Sequence, residues 1–176
     1  MPPNYFEFYD LPMSFQLDTG AVKRKFYALS KQYHPDYYTL EGDQRQAEVL
    51  ELSTFNNQAY KVLSDFDQRM QYILEQKGLL ADEGNPQLPQ TFLMEMMDIN
   101  EQLMELEFDF DATVHKQLLS DLEVLEGSLL KAVSGVLEHW EDGKSDVSEL
   151  ESVKEYYYKK RYLLRIRENL NKFATH

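Results

Sequence analysis

KFYALSKQYHPDYY, residues 25–38, carries a helical pattern into a tripeptide that must end it. Pro35 has no backbone N–H and disfavours the α region for the residue before it, so a helix arriving from the N-terminal side stops at His34. Upstream, Asp18 is placed to cap a helix that begins at Thr19. At 100° per residue, Val22, Phe26, Leu29 and Tyr33 of that helix share a stripe about 80° wide, while Arg24 and Lys31 lie opposite and Lys23 to one side. No acidic residue falls between Thr19 and Tyr33, so one face packs and the other is a basic surface suited to an anionic partner. Downstream, residues 44–64 place Leu52, Phe55, Ala59, Val62 and Leu63 on a single face. The short connector makes the two helices antiparallel neighbours with His34-Pro35-Asp36 near the tip of the hairpin. Spacing alone leaves two readings of that tip: a turn stabilised by Asp36 with His34 half-buried against Tyr33, or a His and an Asp displayed to a partner.

The rest of the chain is read against its composition. It has 176 residues, 43% hydrophobic and 13% aromatic, enough for one domain with a core or two small ones. A formal charge of −13 argues against nucleic acid as the main partner, because phosphate binding needs a net basic face. The absence of cysteine excludes disulfides and cysteine-based metal or nucleophile sites. No apolar run approaches the ~20 residues of a membrane span, and MPPNYFEFYD lacks the pattern of a signal peptide. A cytoplasmic protein with neither membrane nor nucleic-acid partner is the expectation. His34, His115, His139 and His176 are scattered, and there is no HExxH, Gly-rich phosphate loop or serine motif, so neither enzyme activity, nor a metal, nor a cofactor is expected.

No run alternates as a strand would, and the fold class is all-α. Asn4 to Tyr9 reads as a short aromatic helix or turn, and Ser64-Asp65 as a stop and fresh cap before Phe66, Met70, Ile73, Leu74 and a C-capping Gly78. LLADEGNPQLPQ, residues 79–90, marks a linker between a first domain, 1–78, and a second, 91–176. In the second, Phe92, Met96, Ile99, Leu103, Leu106 and Phe110 make a sufficient core stripe. Leu93, Met97 and Met104 form a second row about 100° to 140° round the wheel, with Met94 beyond it. Either this helix is covered on two sides, or the second row is free for a partner, with Asp98 and Glu101 as its rim. Two further helices follow, Thr113 to Trp140 and Asp146 to Phe173, closing an antiparallel three-helix bundle. The cluster Lys159, Lys160, Arg161, Arg165 and Arg167 reads as the solvated flank of the last helix.

KFYALSKQYHPDYY (25–38) followed by FNNQAYKVLSDFDQRMQYIL (55–74) resembles a J-domain, whose hallmark is HPD between antiparallel helices followed by a helix reading roughly NxAYxVLSD. The resemblance implies a co-chaperone that stimulates the ATPase of a DnaK-type chaperone, with His34, Pro35 and Asp36 as the trigger and Lys23, Arg24 and Lys31 as the docking face. Tyr37 stands where many J-domains have Lys. The order J-domain, short linker and acidic bundle opening with TFLMEMMDINEQLMELE (91–107) is similar to the HscB family of iron-sulfur co-chaperones. That similarity implies binding of the scaffold IscU and its presentation to the chaperone HscA. It also implies a client patch of Leu93, Met94 and Met97 joined by Tyr162, with Asp98 and Glu101 at the rim; a core-edge tyrosine is the plain alternative for Tyr162. A J-domain co-chaperone for another client, with a dimerising or scaffolding second domain, is the competing reading.

Overall fold

The computed structural model describes residues 4–80 and 88–173, so most of the 79–90 linker and His176 lie outside the described residues. All regular structure among them is helical: α1 (Tyr5–Phe8), α2 (Thr19–Gln32), a 3-10 turn (Pro35–Tyr38), α3 (Asp43–Ser64), α4 (Phe66–Gln76), α5 (Gln90–Phe108), α6 (Ala112–His139), a second 3-10 turn (Val147–Glu149) and α7 (Leu150–Phe173). The all-α assignment is therefore correct. Contacts divide the chain into two units: residues up to Gly78 with Leu137–Val147, and Leu79–Val136 with the chain from Ser148 onward.

In the first unit the helix ends follow local chemistry. Asp18 Oδ1 accepts from Gly20 N at 2.8 Å, and Asp65 Oδ1 accepts from Gln68 N at 2.8 Å, each satisfying a donor that a helix N-terminus leaves open. The Ala21 and Gly20 N–H groups, with Arg24 adding its charge, hold the Asp18 carboxyl below its ordinary range. Gly78, at φ +70°, follows α4 in the left-handed conformation that ends helices. α2 packs on α3, and α3 on α4 and α1, around buried Phe6, Val22, Leu29, Val49, Ala59, Leu63, Met70 and Ile73.

Asn56 and Arg69 are polar side chains buried within helices of this unit, where hydrophobic periodicity offers no hint of them. Asn56 Oδ1 accepts from Tyr9 Oη at 2.8 Å, while its Nδ2 donates to the Phe26 carbonyl at 3.1 Å and Ser30 Oγ at 3.0 Å. Burial pushes the Tyr9 phenol well above its ordinary pKa, with Tyr60 adding to the effect, so Tyr9 stays a donor. Arg69 donates from Nε to the Phe15 carbonyl at 2.9 Å and from Nη1 to the Leu63 carbonyl. Desolvation pulls its guanidinium below the usual value, against the raising effect of Asp65.

The sequence pattern carries residues 91–176 as one domain, but Leu137–Val147 groups with the first unit. The reason is long-range. Trp140 lies with its ring centroid 5.6 Å from that of Phe15, Asp142 N donates to the Met13 carbonyl at 2.9 Å, and Lys77 Nζ meets Asp142 Oδ1 at 2.6 Å. Ser14 and Glu141 form an isolated antiparallel bridge. Gly143, at φ +76°, turns the chain after α6.

In the second unit Phe92, Met96, Leu103 and Leu106 of α5 pack with Leu118 and Leu122 of α6 and Leu163, Ile166 and Leu170 of α7. Asp111 Oδ1 caps α6, accepting from Thr113 N at 2.7 Å and Val114 N at 3.1 Å. α5 ends at Phe108, so Phe110 does not continue its core stripe; it is half exposed and stacks on Phe173, ring centroids 6.0 Å apart. Asn56→Ala removes a buried amide with three partners, Tyr9 Oη, the Phe26 carbonyl and Ser30 Oγ, and its loss is expected to cost about 1–3 kcal/mol. Chemical denaturation followed by circular dichroism checks this: Asn56→Ala should lower the midpoint clearly, and Asn57→Ala, on the exposed side of the same helix, should not.

Candidate functional site

Two surfaces, one in each unit, collect the residues to which the sequence pointed. In the first unit α2 stops at Gln32 and Tyr33 caps it, its N–H donating to the Leu29 carbonyl at 2.8 Å. His34 is extended, and Pro35 opens the 3-10 turn, where a proline with no N–H to satisfy belongs. The turn is capped by the histidine and not by the aspartate: His34 Nδ1 accepts from Asp36 N at 3.3 Å. The Asp36 carboxylate lies 3.7 Å from His34 Nδ1, beyond hydrogen-bond reach, and is 82% exposed against 52% for the His34 side chain. The picture of an Asp-stabilised turn with His34 half-buried against Tyr33 is thus replaced by an exposed tip. Neighbours brace the tip, since Tyr38 Oη donates to the Gln32 carbonyl at 2.8 Å and Gln46 Nε2 donates to the Glu41 carbonyl at 2.8 Å.

Beside the tip, Lys23, Arg24 and Lys31 are exposed on α2. Arg24 reaches Asp18 at 3.4 Å across solvent, an interaction of little worth, and Lys25 pairs with Asp10. Among the described residues Lys23 and Lys31 form no ion pair, so the basic face keeps net positive charge. Tyr27, four residues from each, is 59% exposed in the middle of this face. Its spacing of four residues from both Lys23 and Lys31 places it on that face.

In the second unit α5 presents Leu93, Met94, Met97, Asp98 and Glu101 to solvent. The core stripe is buried without them, so the second row is surplus to packing. Tyr162 on α7 behaves differently. It is half-buried at the edge of the core, 5.7 Å edge-on to Phe92, and it accepts from Asn100 Nδ2 at 2.9 Å. Arg165 lies over its ring at 5.6 Å. Tyr162 is a core-edge residue with one side to solvent. The basic flank of α7 is engaged locally: Arg167 forms a two-point pair with Glu126 at 3.2 and 2.8 Å, Lys159 pairs with Glu155, and Arg161 donates to Tyr157 Oη at 3.0 Å.

Comparison with known proteins meets this geometry. A family model described as HSCB C-terminal oligomerisation domain matches residues 88–171. The co-chaperone protein HscB homolog of Vibrio parahaemolyticus is 32% identical over 136 residues, 72% of this chain and 80% of the relative. The chain belongs to the HscB co-chaperone family. A homologue from Vibrio campbellii, under the same name, is 31% identical over equal shares. The crystal structure of human co-chaperone protein HscB superposes with a TM-score of 0.72 at 25% identity, covering 98% of this chain and 82% of the human one. Chaperone HscB from Vibrio cholerae shares the fold, with a TM-score of 0.68 at 21% identity and 98% of both chains covered. For this HscB-family chain, the contrast between adjacent methionines gives a direct check. Met96→Ala, in the core, should cost about 2–5 kcal/mol, whereas Met97→Ala, at the surface, should change stability by less than ~0.5 kcal/mol; urea unfolding measures both.

Proposed function

We propose that this co-chaperone docks on a DnaK-type chaperone of the HscA kind through its first unit and stimulates ATP hydrolysis there. The second unit binds an IscU-like iron-sulfur scaffold through α5, so that client and chaperone are brought together for cluster assembly and transfer. His34, Pro35 and Asp36 form the trigger, and Lys23, Arg24 and Lys31 the steering face. Leu93, Met94 and Met97 receive the client, with Asp98 and Glu101 as rim and Tyr162 at the edge. The boundaries proposed are a J-domain over 1–78, a linker over 79–90 and a client-binding domain over 91–176, with Leu137–Val147 serving the first as packing. The observation that carries this reading is the exposed Asp36 carboxylate, which among the described residues caps no helix end and lies 3.7 Å from His34 Nδ1.

A free carboxylate beside a basic helix face suits a partner surface bearing both signs of charge. A charge-assisted hydrogen bond from a partner arginine to Asp36 would be worth about 1.5–3 kcal/mol, whereas each exposed lysine acts mainly on encounter rate and is screened by salt. At the other end, burying three Leu or Met side chains offers about 1.5–3 kcal/mol each at most, less the cost of association. Micromolar, exchangeable client binding follows.

A second reading has a specific observation behind it: the matched family model is described as an oligomerisation domain. In that case the α5 face joins copies of the chain and the client lies elsewhere. The decisive measurement is the ATPase rate of the HscA-like chaperone with and without this protein and the scaffold. Wild type should stimulate; His34→Gln and Asp36→Asn should not; Lys23→Ala should retain most stimulation at low salt. Equal stimulation by His34→Gln would refute the proposal. Replacing Leu93, Met94 and Met97 by alanine should abolish scaffold binding with the oligomeric state unchanged; loss of an oligomer instead would favour the second reading.

A further inference from the structure

We infer that the docking surface of α5 runs the full length of the helix, with Met104 and Phe108 as its far half, and that its occupant is an apolar, basic-flanked segment of the client protein. The inference rests on the reading that Leu93, Met94 and Met97 receive the client; Met104 and Phe108 go beyond it. Leu93, Met97, Met104 and Phe108 are 40, 67, 69 and 97% exposed. They fall within about 60° of one another on the helix wheel and span ~22 Å of its axis. Phe92, Met96, Leu103 and Leu106 are buried on the other side, so the helix cannot rotate to cover the row without exposing its core. Phe108 is the bulkiest of the four and the most exposed, the profile of an anchor that fills a partner's pocket.

Charge chooses between occupants. Residues 90–111 contain no Lys or Arg, and Glu101 and Glu105 border the row on one side and Glu107 on the other. Two copies meeting through this face about a two-fold axis would stack these carboxylates against each other, which costs binding energy. A heterologous contact with the α7 flank is no better served, because Lys159 and Arg167 already pair with Glu155 and Glu126, Arg161 donates to Tyr157, and Lys160 and Arg165 lie over the rings of Tyr156 and Tyr162. A segment with an apolar stripe and basic margins meets both features of the surface.

The experiment measures binding of the IscU-like scaffold to the full chain by titration calorimetry, with sedimentation velocity and thermal melts on every variant. Wild type should bind. Met104→Ser/Phe108→Ser should melt as wild type does and raise Kd by about tenfold or more, and Glu105→Lys/Glu107→Lys should weaken binding most at low salt. If the Leu93, Met94 and Met97 triple alanine variant loses the scaffold while Met104→Ser/Phe108→Ser binds as wild type does, the surface ends near Met97 and the inference falls alone. If wild type does not bind the scaffold, the functional reading fails and takes the inference with it. If Met104→Ser/Phe108→Ser dissociates an oligomer without altering scaffold affinity, the occupant is a second copy and the inference is overturned.

Discussion

The side-chain amide of Asn56 sits in the apolar contact between α2 and α3 and has a partner for each atom it offers there. Left dry, such a group would cost about as much as several surface contacts supply, so sliding α3 along α2 by a residue is penalised twice, in packing and in polar pairing. The register of the hairpin follows. Arg69 performs the same task one helix further on, joining the Phe15 and Leu63 carbonyls. With α2, α3 and α4 pinned, the tip has a fixed base. Its own hydrogen bonds are exposed and individually weak, so a defined presentation of His34 and Asp36 depends on that buried polar framework.

The second unit solves a different problem. A helix that supplies both a core stripe and a spare apolar row can present the row only if the core stripe is well buried, because otherwise the helix would turn to bury whichever face packs better. Met96, fully buried, and Phe92, Leu103 and Leu106 beside it make the choice unambiguous. The residue type on the spare face matters as well. Methionine is unbranched and polarisable, so Met94, Met97 and Met104 can adapt to a partner surface without one rigid shape.

What could be read from the chain beforehand was whatever has a local cause. The stop at His34 comes from Pro35, the starts of α2 and α4 from Asp18 and Asp65, and the end of α4 from Gly78. A helix wheel also showed that α5 has two apolar rows, but it says which residues share a face and not which faces are covered, so the exposure of Leu93 and Met97 needed the packed bundle. Asn56 and Arg69 escaped because a polar residue in a helical pattern reads as solvent-facing unless its partners, thirty or fifty residues away, are known. Trp140 and Asp142 escaped for the same reason: periodicity runs through them, while their contacts are with residues near the start of the chain. His34 as the cap, in place of Asp36, turns on a side-chain rotamer that composition cannot specify.

On the proposed reading, neither end needs to change the shape of the other. The tip is formed from its own unit's packing and the α5 row from the bundle's. Joining two modest binding sites in one chain makes the second encounter intramolecular. A client held at α5 is then delivered near a chaperone engaged at His34-Pro35-Asp36 without either interaction having to be tight. Weak ends have a further consequence, since each partner can leave once its step is complete, and an adaptor that acts repeatedly depends on that release as much as on capture.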